Sequence, residues 1–113
     1  MRAWLAVLAL AALPTLPAAA ASPFDGVYGG TWTHNGGTLG AGRCPDGGGM
    51  SLRVTDGSFP WRGGGQPTRV QIAPDGTFNG QSGQRFISGR VANGKLTATT
   101  RDQYCVYDWA LSR

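Results

Sequence analysis

The chain has 113 residues, ten lysines and arginines against six acidic residues, and one histidine, giving a formal charge of +4. That length holds one domain behind any targeting segment. The mild positive balance suits many partners and is no argument for nucleic acid.

Residues 1–21 read as an export signal. Met1-Arg2 supplies a short positive start, Ala3 through Leu16 is almost purely apolar, and Pro14 and Pro17 precede Ala18-Ala19-Ala20-Ala21. Small residues at these last positions suit signal peptidase and place cleavage between Ala21 and Ser22. The apolar run is shorter than the roughly 20 residues of a membrane-spanning helix. No later stretch approaches that length, so a stable membrane anchor is not expected. The expectation is a periplasmic or secreted protein whose single domain occupies residues 22–113.

No window after the signal has helical periodicity; short runs alternate apolar and polar residues instead. Met50, Leu52 and Val54 alternate with Ser51, Arg53 and Thr55, and Val70 and Ile72 with Arg69 and Gln71. Cys105, Tyr107, Trp109 and Leu111 share one strand face. In chain order the runs predict about eight strands, near residues 27–33, 50–55, 58–62, 68–73, 77–80, 85–92, 95–100 and 104–111. Asp56-Gly57, Asp75-Gly76 and Asn93-Gly94 are tight-turn pairs, able to supply the positive φ that hairpins demand. In an up-and-down meander these three turns share one end. The opposite, open end then collects the longer connections, from His34 to Gly49, Arg62 to Pro67, Gln81 to Gln84 and Arg101 to Gln103. An even strand count sets the last strand antiparallel to the first and permits closure. The expected fold is an all-β, eight-stranded antiparallel up-and-down barrel, with a two-sheet β-sandwich as the alternative.

The two cysteines follow from the same layout. In an oxidising compartment an even pair is most simply a disulfide. Cys44 lies in the long open-end loop and Cys105 begins the last strand at that end, so the two can meet. A closed loop of about 60 residues stabilises a domain by roughly 4 kcal/mol on the chain-entropy account. Neither cysteine belongs to a C-x-x-C pair, and a lone histidine cannot complete a zinc site.

Gly30-Thr31-Trp32 resembles the G-x-W start of calycin-like barrels, the group of lipocalins, avidins and small bacterial metalloprotease inhibitors. That resemblance implies a barrel and a late arginine packed on the tryptophan, either Arg101 or Arg113. The chain is much shorter than a lipocalin, and the inhibitors close a shorter disulfide loop. Phe24-Asp25-Gly26-Val27-Tyr28 is similar to the opening segment of a group of small secreted bacterial β-proteins. This likeness implies a compartment and a fold but no activity.

Catalytic chemistry finds little support. Of six aspartates, Asp25, Asp46, Asp56 and Asp75 directly precede glycine and read as turn formers. Asp108 faces away from Trp109, and Asp102 sits in a turn beside Arg101. His34 has no serine in a nucleophile elbow to serve. Gly47-Gly48-Gly49 and Gly63-Gly64-Gly65 lack the Lys-Ser/Thr of a phosphate loop and read as flexible loops. No enzyme activity, metal or cofactor is expected.

Trp32, Phe59, Trp61, Tyr107 and Trp109 fall on apolar or alternating positions. With strands this short the barrel interior is expected to be filled by side chains, Trp61 alone standing at the open end beside Arg62. The same end gathers His34, Arg43, Arg62, Arg85 and Arg101, whereas Asp56, Asp75 and Lys95 fall at the tight turns. His34, Arg43, Trp61, Arg62, Arg85 and Arg101 are therefore the candidate binding rim. The expected function is a non-enzymatic binding or structural module of the bacterial envelope, for a small molecule, glycan or protein. The alternative is an inhibitor-like or accessory protein acting on a secreted partner, with Ser22-Pro23-Phe24 as a short tail. A small hydrolase using His34 or Asp102 is a third, weaker reading.

Overall fold

The computed structural model describes residues 22–36, 44–63 and 65–113. The proposed export signal and the rim residue Arg43 lie outside these. Eight strands follow in chain order: β1 (Gly26–His34), β2 (Gly47–Val54), β3 (Ser58–Trp61), β4 (Thr68–Gln71), β5 (Thr77–Ser82), β6 (Arg85–Ala92), β7 (Lys95–Arg101) and β8 (Val106–Ser112). All pairings are antiparallel. Among the described residues there is no helix, and hence none long and apolar enough to cross a membrane.

Local chemistry sets the turns. Asp56 and Gly57 both have positive φ, as do Asn93 and Gly94, the pattern of a two-residue hairpin whose twist matches its strands. The Asp75 turn is built differently. Only Gly76 has positive φ, while the Asp75 carboxylate accepts from the Thr77 amide and hydroxyl at 3.0 and 2.7 Å. A further tight turn, at Gly83-Gln84, joins β5 to β6 at the open end, where a longer connection was expected. Ser82 pairs directly with Arg85, and Gly83 takes the positive φ.

The strands form two hydrogen-bonded sheets. One has six strands in the order β2-β1-β8-β7-β6-β5, and the other is the β3-β4 hairpin. Single bridges, Thr55 to Ser58 and Ile72 to Phe78, link the hairpin to its neighbours. The continuous ladder of a barrel is thus interrupted on either side of the hairpin. The cause is local: β3 and β4 have four residues each, Pro60 has no amide hydrogen to donate, and Pro67 and Pro74 flank β4.

The glycine run 47–49 also departs from expectation. It is no loop but the first part of β2, with Gly47, Gly48 and Gly49 opposite Thr33, Trp32 and Thr31.

The core lies between the two sheets and toward the tight turns. Tyr28, Val54, Phe59, Val70, Ile87 and Leu96 are essentially inaccessible, and Leu52, Phe78, Val91, Ala98 and Leu111 complete the cluster. Phe59 and Phe78 meet edge to face at 5.2 Å between centroids, a favoured geometry for aromatic quadrupoles.

The segment before β1 closes this end. Tyr28 donates its hydroxyl proton to the Phe24 carbonyl at 2.6 Å. The Asp25 carboxylate accepts from the Asp56 and Gly57 amides at 2.8 and 2.9 Å. Arg113 donates to the Asp25 carbonyl and lays its guanidinium over the Tyr28 ring. At the opposite end Cys44 and Cys105 form a disulfide across 61 positions, with Cα atoms 5.8 Å apart.

Candidate functional site

The inward face of β1 runs through Tyr28, Gly30, Trp32 and His34, because alternate residues of a strand share a face. Tyr28 is wholly buried, but Trp32 is only half-buried. The same change occurs along β8, where Leu111 is buried and Trp109 and Tyr107 are not. It recurs in β2, from buried Leu52 to half-buried Met50. Trp32, Met50, Tyr107 and Trp109, with Trp61 from the end of β3, surround a cavity of about 460 Å³ open to solvent. Pro45, Thr100 and Cys105 also line it, and its charged groups are Arg85 and Asp102. The interior is therefore filled at one end only, not throughout.

Glycines let the indoles approach the backbone. A Cβ on Gly48 would stand 3.1 Å from Trp32 Nε1, and one on Gly63 would overlap the six-membered ring of Trp61. Each tryptophan occupies the space a side chain would take. Trp32 and Trp109 are direct cross-strand partners, and Trp32 meets Tyr107 edge to face at 5.2 Å.

The ionic group at the mouth is held by backbone. Asp102 Oδ1 accepts from the Tyr104 and Cys105 amides, both at 2.7 Å. Arg85 Nε stands 3.4 Å from Asp102 Oδ2. Burial pushes the Asp102 carboxyl up, but the two amides and the guanidinium outweigh it and hold the group below the usual carboxylate range. Cys105 ties this turn to the disulfide, so the carboxylate and one wall of the cavity share an anchor.

The rim expected from the sequence divides. Trp61 and Arg85 line the cavity. Arg62 follows Trp61 and is exposed. His34 packs against Tyr107 at 5.8 Å, and its Nε2 is buried with no hydrogen-bond partner among the described residues. Arg101 belongs to another surface. It lines a larger open depression of about 1130 Å³ over β5, β6 and β7 around Phe86, which is 48% exposed, and Asp102 borders both. The register explains the separation, since Gln81, Phe86 and Arg101 lie in one cross-strand row.

Residues the sequence reading had not assigned to this site are Trp32, Met50, Thr100, Asp102, Tyr107 and Trp109. Their positions were nonetheless legible: all but Asp102, which follows β7, lie in the open half of a strand on the face that farther along carries the core. Arg113 stacks on Tyr28, two steps of alternation before Trp32. The aspartates do not gather. Asp25 and Asp75 serve backbone at the tight-turn end, and Asp108 accepts from Asn35 and Thr99 on the outer face.

No protein-family model, curated protein or solved structure matches the chain.

Proposed function

We propose that this is an exported, non-enzymatic binding module of the bacterial envelope, periplasmic or secreted, whose ligand enters the open-end cavity. The observation that carries the reading is the contrast along the inward faces. The same strands that pack a dry core around Tyr28 and Phe59 present three half-buried indoles around a cavity of about 460 Å³. Three half-buried indoles grouped around one cavity are a costly use of apolar surface unless something covers them. Aromatic walls with few polar groups are the usual form of a small-molecule site.

The fold is read as a closed eight-stranded barrel with two weak seams. Its support is that every strand neighbours the next in chain order, β8 pairs with β1, and the hairpin is bridged on both sides. A calycin-like relationship accords with this order and with Gly30-Thr31-Trp32. An inhibitor acting through its N-terminal segment is disfavoured. Ser22 Oγ, Phe24 and Asp25 are all engaged at the tight-turn end. Nucleic acid is not an expected partner.

The test is a native mass of the protein purified gently from its host's envelope. A non-covalent small-molecule increment that disappears in Trp61→Ala is the expected result. A bare monomer in both proteins would contradict the reading.

A further inference from the structure

The polar atoms around the cavity are biased toward donors, and this bears on the ligand's chemistry. The inference rests on the cavity being a ligand site. Trp32, Trp61 and Trp109 each carry an indole N–H, which donates only. Among the described residues none of these N–H groups is held in a hydrogen bond, and neither are the terminal nitrogens of Arg85. The lining's one carboxylate is already committed. Asp102 Oδ1 takes two backbone amides, and Oδ2 faces Arg85 Nε. Arg85 keeps its remaining N–H groups, with its side chain 47% exposed at the mouth.

Three ligand classes suit aromatic walls, and this inventory separates them. A quaternary ammonium is drawn to an aromatic cage by the ring quadrupoles, but here it would meet the Arg85 guanidinium at the entrance and a carboxylate already engaged by two amides and Arg85. A saccharide stacks on indole but presents hydroxyl donors that require acceptors, and beyond the engaged carboxylate the lining side chains offer only the Thr100 and Tyr107 hydroxyls. An apolar ring system bearing an anion satisfies both halves of the site. Its rings lie against indole faces, and its oxygens accept from the guanidinium in a charge-assisted bond.

We propose that the cavity takes a ring-containing apolar molecule with one carboxylate or sulfonate, the rings between Trp61 and Trp109 and the anion on Arg85. Arg85 thereby bridges the ligand and Asp102. The backbone amides of Tyr104 and Cys105 keep Asp102 in place, and Asp102 in turn holds Arg85 at the mouth.

Two fluorescent probes of one framework test this. 1-Anilinonaphthalene-8-sulfonate carries the anion, and N-phenyl-1-naphthylamine has the same rings without it. The protein is titrated with each, following energy transfer from tryptophan to the probe. The sulfonate is expected to bind about tenfold more tightly, the worth of one hydrogen bond to a charged group. Arg85→Gln should abolish that preference while leaving the neutral probe's affinity unchanged. Arg90→Gln, the same charge change on the outer face of β6, should leave both unchanged. Added salt should weaken the sulfonate alone, which checks the charge in the unaltered protein. Equal affinity for the two probes, or a preference that survives Arg85→Gln, overturns the anion assignment while leaving the cavity as a site. Failure of both probes to bind removes the cavity reading and this inference together.

Discussion

Tyr28 and Trp32 stand four residues apart on one face of one strand, and their surroundings differ completely. Tyr28 is fully enclosed, its hydroxyl bonded to Phe24 and its ring under Arg113. Trp32 is half-open, resting on a glycine backbone and the edge of Tyr107. At the tight-turn end short hairpins bring the strands together, and Ser22 to Asp25 fold across the opening. At the other end half-buried aromatic side chains border a cavity, and a disulfide ties Cys44 to Cys105. The contrast teaches that covalent closure stands in for packing where a cavity is kept. One end gains its stability from buried apolar area, the other from the Cys44–Cys105 cross-link.

The largest effect that would sharpen this contrast is expected at the packed end. Phe59→Ala removes a wholly buried ring that meets Phe78, and should cost about 3–5 kcal/mol in denaturant unfolding. Replacing Cys44 and Cys105 together by serine should cost about 2–4 kcal/mol. Because the bridge clamps only the open end, hydrogen exchange in that variant should accelerate most at Trp32, Thr100 and Tyr107. Uniform acceleration along β1 and β8 would break the division between the two ends.

Trp61→Ala should shift stability by about 1 kcal/mol or less, since the ring is half-buried and borders a cavity. A loss comparable to that of Phe59→Ala would make Trp61 a core residue and erase the distinction. The smallest effect concerns acid. Asp25 is held below the usual carboxylate range, first by the Gly57 amide and also by that of Asp56. A carboxyl with a depressed folded pKa stabilises above its unfolded value, near about 3.9, and loses that contribution as pH falls through the folded value. Stability should therefore decline on acidification below about pH 4, and Asp25→Asn should reduce that decline. An unchanged pH profile of the midpoint temperature in Asp25→Asn would show that the clamp contributes nothing there.

Most of the scaffold was legible because its determinants are local. Alternation placed all eight strands within a few residues of their observed positions, and Asp56-Gly57 and Asn93-Gly94 marked hairpins by their need for positive φ. The disulfide followed from sorting loops to ends. What escaped depended on contacts distant in sequence. Nothing local says that Gly48 will lie beneath Trp32, so the run 47–49 looked like loop and not strand. The register that carries Arg101 to the outer row with Gln81 and Phe86, and Arg85 to the cavity, is likewise set across strands. The interrupted ladders at β3 and β4 were hinted at by Pro60, Pro67 and Pro74, but proline alone does not say whether a neighbouring strand will bridge the gap.

The most direct test of the account is the response of individual nitrogen–hydrogen resonances to a ligand. With the ¹⁵N-labelled protein titrated with 1-anilinonaphthalene-8-sulfonate, the indole signals of Trp32, Trp61 and Trp109 should move together and saturate. The amides of Tyr28, Phe59, Phe78 and Leu96 should stay fixed. Movement at those core amides with stationary indoles would contradict the claim that the open end is the binding site.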